Sequence, residues 1–131
     1  MSGREPDSYD ENCPLCQALL KERHLFLKET DLYVILPTKT LKGHKKRIMV
    51  LLKSHLPDTR YHCVIMREFE EFCKEYFCDE PTCAICESTY ATIPDHWHRL
   101  ACDWDTTDKK ELQQLMYTPH KAIKTNKEWK P

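Results

Sequence analysis

The content of cysteine and histidine is the feature that most constrains this chain. Eight cysteines and seven histidines occur within 131 residues. In a short exported protein, that many cysteines would indicate a disulfide framework. The N-terminal segment has no apolar stretch of the kind that a secretory signal needs, so we expect a cytoplasmic protein. Under reducing conditions, a Cys-x-x-Cys pair accompanied by histidines is typical of zinc binding.

Length, charge and glycine content exclude several classes of protein. The length fits one domain with a single core of modest size. No segment approaches the roughly 18–20 apolar residues that a membrane span requires. The net charge of −1 gives no support to binding along a nucleic-acid backbone. Only Gly3 and Gly43 are glycines, which excludes the glycine-rich loops that bind phosphates.

Apolar patterning predicts an α+β domain with an antiparallel sheet. The predicted elements are a short helix or turn in 17–28, strands at 32–36 and 47–53, a helix at about 60–77, strands at 82–87 and 96–102, and a short helix at about 109–117. The strand at 47–53 is apolar enough to be covered on both faces, and Asp58 or Thr59 can cap the long helix. We expect a flexible N-terminus at 1–12, one domain at 13–117 and a lysine-rich C-terminal tail at 118–131.

The first candidate site is the pair Cys13 and Cys16, which are separated by two residues. This spacing lets both thiolates reach one metal ion from a tight turn. Zinc would then need two further nitrogen or sulfur ligands from elsewhere in the chain. The alternative is a turn that contains two unrelated cysteines.

The second candidate site is His96-Trp97-His98. Because side chains alternate along a strand, His96, His98 and Leu100 would lie on one face of the sheet and Trp97 on the other. Two imidazoles on one face form either a metal-binding pair or a pair that reacts with phosphate. Two surface histidines on an edge strand are the alternative. Asp95 could orient an imidazole by accepting its second N–H.

Three motifs occur in an order that is specific as a set. They are Cys13-x-x-Cys16, the segment from Gly43-His44 through an apolar strand to Lys53-Ser54-His55, and His96-x-His98. This order resembles the zinc-binding branch of the histidine triad family, which has a Cys-x-x-Cys pair, a Gly-His before an apolar strand and Lys-x-His, and a terminal His-x-His-x-His signature. The resemblance covers most of residues 12–104 and implies a single domain of histidine triad type, with one long helix between the ligand-bearing strands.

The resemblance also implies a chemistry. His98 would be the nucleophile that attacks a nucleoside phosphate ester and becomes nucleotidylated, so the activity would be nucleotidyl hydrolysis or transfer. The implied ligands of one structural zinc ion per chain are Cys13, Cys16, His55 and His96. The implied phosphate-binding residues are His44, Lys46 and Arg47, in and beside a basic loop. The implied partners are a nucleotide and a second copy of the chain, in a homodimer that extends the sheet.

Leu100 is the main departure from the family signature, because it stands where the third histidine is expected. A leucine side chain can neither donate nor accept a hydrogen bond. The sequence therefore leaves open a second hypothesis, in which the domain is a catalytically weak or inactive zinc-stabilised module that binds a nucleotide or a partner.

Further cysteines raise the question of a second metal site. They are Cys73, Cys78, Cys83 and Cys86. The second pair would lie on opposite faces of a strand, and the first pair lies about 140° apart around a helix. Buried free cysteines are common in cores, and this is the interpretation that we favour.

Overall fold

The computed structural model describes residues 9–38, 45–80, 82–86, 95–103 and 120–124. The helices are α1 (Pro14–Lys21) and α2 (His62–Tyr76), with a 3₁₀ turn at Arg23–Leu25. The strands are β1 (Lys28–Glu29), β2 (Tyr33–Pro37), β3 (Arg47–Leu52), β4 (Thr82–Cys86), β5 (His98–Asp103) and β6 (His120–Lys124). Within the described residues, these strands form one open antiparallel sheet in the order β1-β2-β3-β5-β4-β6. The chain is therefore a mixed α/β domain, and the predicted antiparallel sheet is confirmed.

Strand β3 is the centre of this sheet and is buried on both faces, as its apolar sequence predicts. Ile48, Val50 and Leu52 belong to an apolar cluster on one face. Met49 and Leu51 belong to a separate cluster on the other. The alternation of strand side chains thus gives the domain two cores, one on each side of the sheet.

Helix α2 covers the first face. Ile65, Phe69 and Cys73 follow one another at a spacing of four residues, and all three are fully buried against the sheet. The predicted cap is wrong, because the helix begins at His62 without a side-chain cap. The Thr59 hydroxyl instead accepts a hydrogen bond from the Tyr61 N–H, which shapes the turn before the helix.

Helix α1 covers part of the second face. It begins and ends earlier than predicted, because Pro14 at its first position needs no N–H partner and already has the backbone angle of a helix. Leu15 and Cys16 of this helix are buried with Val34 and Leu36 of β2. The opening Cys-x-x-Cys pair is thereby fixed against the sheet.

The C-terminal part of the sheet differs from the prediction. Residues His120–Lys124 form β6 and pair with β4, although the sequence predicts only a lysine-rich tail there. A five-residue segment with two lysines is a weak strand signal by itself, and its pairing with β4 supplies the backbone partners. The helix predicted at 109–117 lies outside the described residues. Neither α1 nor α2, the helices of the described part, has the length and apolarity needed to cross a membrane.

Candidate functional site

Four side chains from distant parts of the chain meet beside α1. Cys13 precedes this helix and Cys16 lies in its first turn. His55 follows β3, and His96 lies two residues before β5. One potential ligand atom from each residue lies within 4.8 Å of all the others, so the group could hold a metal ion. It is the one such group of three or more residues within the described part of the chain.

The separations between these atoms fit a tetrahedral ion. The Nδ1 atom of His96 lies 3.6 Å from the Cys13 Sγ and 3.4 Å from the Cys16 Sγ. The Nδ1 atom of His55 lies 3.4 Å from the same Cys16 sulfur. With metal–sulfur and metal–nitrogen bonds of about 2.3 and 2.05 Å, tetrahedral angles place sulfur and nitrogen about 3.6 Å apart. These three separations are therefore close to those around one ion of this size.

The backbone fixes His96 in the form that can bind a metal. Its Nε2 lies 2.6 Å from the Leu52 carbonyl oxygen, and a carbonyl only accepts, so Nε2 carries the proton. The lone pair of the neutral ring is therefore on Nδ1, which faces the two sulfurs. Burial lowers the pKa of His96, and the positive charges that His55 and His98 can carry lower it further. Both effects keep the ring neutral.

Asp95, which could orient an imidazole according to its place in the sequence, is exposed. The Leu52 carbonyl holds the second nitrogen of His96 instead. Sequence reasoning had no signal for this partner, because a backbone carbonyl belongs to every residue and is selected only by the fold.

Asp10 is a residue of this site that the sequence analysis missed. Its backbone N–H donates to the Cys16 sulfur at 3.5 Å, and its carboxylate lies 3.8 Å from the Nε2 of His55. Burial raises the pKa of the Cys16 thiol, whereas the Asp10 N–H bond acts in the opposite direction. The Asp10 carbonyl also accepts a hydrogen bond from the Cys13 N–H at 3.0 Å. The end of the segment that we expected to be flexible is therefore folded around the thiol pair.

His98 is the first residue of β5 and is half-buried. Its Nδ1 lies 2.8 Å from the His96 carbonyl oxygen, so this nitrogen is the donor and Nε2 carries the lone pair. Burial is the largest cause that lowers the pKa of His98, and the charges of Arg99 and Arg47 add to it. The ring is consequently neutral near pH 7, which is the form that can act as a nucleophile.

The neighbours of His98 on the sheet are mostly apolar. Leu51 is its register partner on β3, and Met49 is the register partner of Leu100. By strand alternation these side chains share a face with His98, and Leu100 packs against the cluster that contains the other two. Arg47, two residues before Met49, lies on the same face.

Arg99 has a different environment from Arg47. Its Nη1 donates to the His98 carbonyl at 2.8 Å, and its guanidinium lies 4.9 Å from the centroid of the Trp97 ring. Trp97 is itself buried in the core under α2 and donates from its indole nitrogen to the Nδ1 of His62. The alternation of Trp97 with the two imidazoles is therefore as the sequence predicts, although β5 begins only at His98.

Lys46 does not extend toward His98. Its ammonium lies 2.8 Å from the Asp79 carboxylate and 3.2 Å from the Tyr76 carbonyl, at the C-terminal end of α2. This end of a helix attracts cations because its last carbonyls lack helical partners. The ion pair with Asp79 raises the pKa of Lys46. Among the predicted phosphate-binding residues, Arg47 shares the face of His98, and His44 lies outside the described residues.

Asp103, at the end of β5, is a second residue that sequence reasoning missed as a part of the site. Its carboxylate accepts hydrogen bonds from the backbone N–H groups of Lys45 and Lys46, both at 2.9 Å. Its own N–H donates to the Lys46 carbonyl. These bonds fix the start of β3, and with it Arg47, to the strand that carries His98.

The other cysteines form no second group of potential ligands within the described residues. Cys73 and Cys83 meet in the core between α2 and β4, where a hydrogen bond between the two thiols and burial raise the pKa of Cys73. Cys78 is exposed. The hypothesis that Cys86 binds a second metal ion concerns a side chain outside the described part of the structure.

No protein-family model matches the chain, and no curated protein or solved structure matches it. The geometry of the site is therefore the ground for a functional proposal.

Proposed function

We propose that Cys13, Cys16, His55 and His96 hold one structural zinc ion per chain. The support is the donor set of two thiols and two imidazoles, the sulfur–nitrogen separations of 3.4–3.6 Å and the burial of both cysteines. Four protein ligands leave no coordination position for a substrate, which is typical of a structural site. A cytoplasmic location would keep the two thiols reduced and suits this proposal.

The zinc content of the purified protein tests this proposal. We expect about one zinc ion per chain. The change Cys16→Ser removes a ligand and should abolish stoichiometric binding, whereas Cys78→Ser changes an exposed thiol outside the site and serves as the matched control. Full zinc content in a Cys13→Ser, Cys16→Ser double variant would contradict the assignment.

We further propose that the chain is a histidine-triad-like domain, and that it hydrolyses or transfers nucleotidyl groups through His98. The observation that carries this proposal is the bond from the His98 Nδ1 to the His96 carbonyl, which leaves the Nε2 lone pair available on a neutral ring. Attack of Nε2 on phosphorus makes the ring positive, and the same carbonyl stabilises that charge by accepting the Nδ1 proton in a stronger hydrogen bond.

Other residues of the chain would support this step. Arg47 lies on the same face of the sheet as His98, and its positive charge lowers the pKa of that ring. It would neutralise the oxygens of the phosphate under attack. When bound, zinc would supply a fixed position for His96. Because His96 also provides the acceptor for the His98 Nδ1, an ordered His96 backbone orients the nucleophile.

Leu100 favours a second candidate function, which is binding of a nucleotide without turnover. A hydrocarbon side chain on the face of His98 gives no hydrogen bond to a transition state. In this case zinc would stabilise a module that recognises a nucleotide or a partner.

A single set of assays separates these two functions. Zinc-loaded protein is incubated with a dinucleoside polyphosphate and a nucleoside phosphoramidate, and acid-labile nucleotidyl protein is sought after rapid quenching. We expect turnover that His98→Ala abolishes and that His24→Ala, an exposed histidine, preserves. Equal background from the parent protein and His98→Ala, with nucleotide binding retained in calorimetry, would support the binding module instead.

We also propose a homodimer that extends the sheet. Strands β1 and β6 form the two edges of the sheet in the described part of the chain. Analytical ultracentrifugation tests this proposal, and a monomer at micromolar concentration would contradict it.

A further inference from the structure

Two buried thiols meet between α2 and β4, in the core on the opposite face of the sheet from the thiols of the proposed zinc site. Cys73 lies in the last turn of α2 and Cys83 is the second residue of β4, and both are fully buried. The two thiols are hydrogen-bonded to each other and are not joined by a disulfide. Because an S–S bond is about 2.05 Å long, sulfurs in hydrogen-bond contact need only a small movement to join.

The strand that carries Cys83 belongs to a less firmly paired part of the sheet. Within the described residues, the ladder between β4 and β5 runs only from Cys83 to Ile85, whereas β3 pairs with β5 from Arg47 to Leu51. In the same part of the chain, β6 pairs with β4 alone. The ribbon of β4 and β6 is thus held by a short ladder and by its packing under α2. Opening such a unit requires less free energy than global unfolding.

We propose that Cys73 and Cys83 form a redox-responsive pair, which a small-molecule disulfide such as oxidised glutathione converts into a disulfide that fixes the ribbon of β4 and β6 to α2. Under reducing conditions the pair stays as two thiols. The bond from Cys83 and burial raise the pKa of Cys73, so the closed pair is protonated and does not attack a disulfide. Reaction therefore follows transient opening of the ribbon, which exposes both sulfurs.

The oxidation balances as two thiol–disulfide exchanges. The thiolate of one cysteine attacks a sulfur of oxidised glutathione, whose S–S bond breaks and releases one glutathione as a thiol. The thiolate of the second cysteine then attacks the protein sulfur of this mixed disulfide and releases the second glutathione. The two protein thiols lose two electrons and two protons, and the two released glutathione molecules take them up.

Oxidation of the full, zinc-loaded chain in glutathione buffers tests this proposal. Remaining thiols are blocked with an alkylating agent, and peptide mass spectrometry then locates the disulfide. We expect a bond between Cys73 and Cys83 that forms without release of zinc to a chelating dye. Cys83→Ala should not form it. Cys78→Ser, which removes the exposed cysteine between the two, is the matched control and should still form it.

Hydrogen exchange measures the consequence of the bond. The amides of β4 and β6 should exchange roughly tenfold to a hundredfold more slowly in the oxidised than in the reduced protein, because the disulfide limits the open states of the chain between Cys73 and Cys83. Strand β2 lies on the far side of β3 and serves as the internal control. Its amides should exchange at the same rate in both forms.

Three results would overturn the proposal. In the first, the exposed Cys63 and Cys78 bind glutathione while Cys73 and Cys83 remain thiols, so the pair does not respond to the oxidant. In the second, the bond forms only after zinc is lost or in denaturing urea, so it belongs to the unfolded chain. In the third, the bond forms but exchange in β4 and β6 is unchanged, so it does not fix the ribbon.

Discussion

Replacement of Trp97 tests whether the two imidazoles are held by the core on the opposite side of the sheet. Trp97 is 1% exposed and lies between His96 and His98 in the chain. Its indole nitrogen donates to His62 at 3.3 Å, and its backbone N–H donates to the Leu56 carbonyl at 2.6 Å. We expect Trp97→Phe to keep the backbone bond while losing the indole bond and part of the buried surface.

The magnitude follows from these two losses. Loss of a buried hydrogen bond costs about 1 kcal/mol, and the smaller ring leaves about 50 Å² of apolar surface uncompensated, or about 1.3 kcal/mol. We therefore expect Trp97→Phe to lower the free energy of unfolding by roughly 2 kcal/mol. Trp97→Ala should cost about 3–5 kcal/mol, since it also opens a cavity.

Urea denaturation followed by circular dichroism, with zinc in excess, measures these changes. Val64→Ala on the more exposed side of α2 is the control and should change stability by no more than about 0.5 kcal/mol. Zinc affinity, measured by competition with a chelating dye, should weaken in Trp97→Ala more than in Trp97→Phe. A cost below about 1 kcal/mol for Trp97→Ala, or an unchanged zinc affinity in that variant, would refute the reasoning.

Three further predictions concern the metal ion, the loss of stability at acidic pH and the start of β3. Free zinc at 1,000 times its dissociation constant should stabilise the fold by about 4 kcal/mol, and a chelator should remove this increment in thermal denaturation; an unchanged melting temperature would contradict a structural ion. Burial lowers the pKa of His98 in the folded state. The stability that this residue contributes is therefore present above its unfolded pKa of about 6.5 and is lost as the pH falls through its folded pKa. Urea midpoints between pH 8 and pH 5 should therefore fall less steeply in His98→Gln than in the parent, and equal slopes would count against burial of the ring. Asp103→Ala removes the acceptor of two backbone N–H groups at 2.9 Å and should lower the free energy of unfolding by about 2 kcal/mol. Because these bonds fix the start of β3 and with it Arg47, the variant should also lose activity under conditions in which it remains folded. Asp58→Ala, which removes another acceptor of a backbone N–H, is the comparison for both measurements.

The sequence predicts the sheet and the long helix because their signals are periodic. In β3, apolar residues on both faces require two cores, and the structure has one on each side. In α2, Ile65, Phe69, Phe72 and Tyr76 recur at helical spacing and predict the face that packs on the sheet. Ile65 and Phe69 are fully buried there, Phe72 and Tyr76 are partly buried, and Cys73 is buried in addition. Such patterns are local, and tertiary contacts reinforce them.

Other features depend on partners that no local pattern specifies. Lys46 belongs to a basic segment and suggests phosphate binding, but its ammonium contacts the carbonyl of Tyr76 at the end of α2 and the carboxylate of Asp79 just beyond it. Asp10 precedes the thiol pair in a polar segment that gives no sign of order, and the pair itself supplies the sulfur that its N–H contacts. Strand β6 has a weak sequence signal and is formed by pairing with β4.

The two imidazoles of the candidate site show how one backbone assigns two roles to one residue type. His96 donates from Nε2 to the carbonyl of Leu52 at the end of β3, which turns Nδ1 toward the thiols. His98 donates from Nδ1 to the carbonyl of His96, which leaves the lone pair of the neutral ring on Nε2. The proposed roles of ligand and nucleophile would thus follow from which nitrogen each carbonyl occupies. Because the second carbonyl belongs to the first histidine, any displacement of His96 on loss of a metal would also move the acceptor that fixes His98.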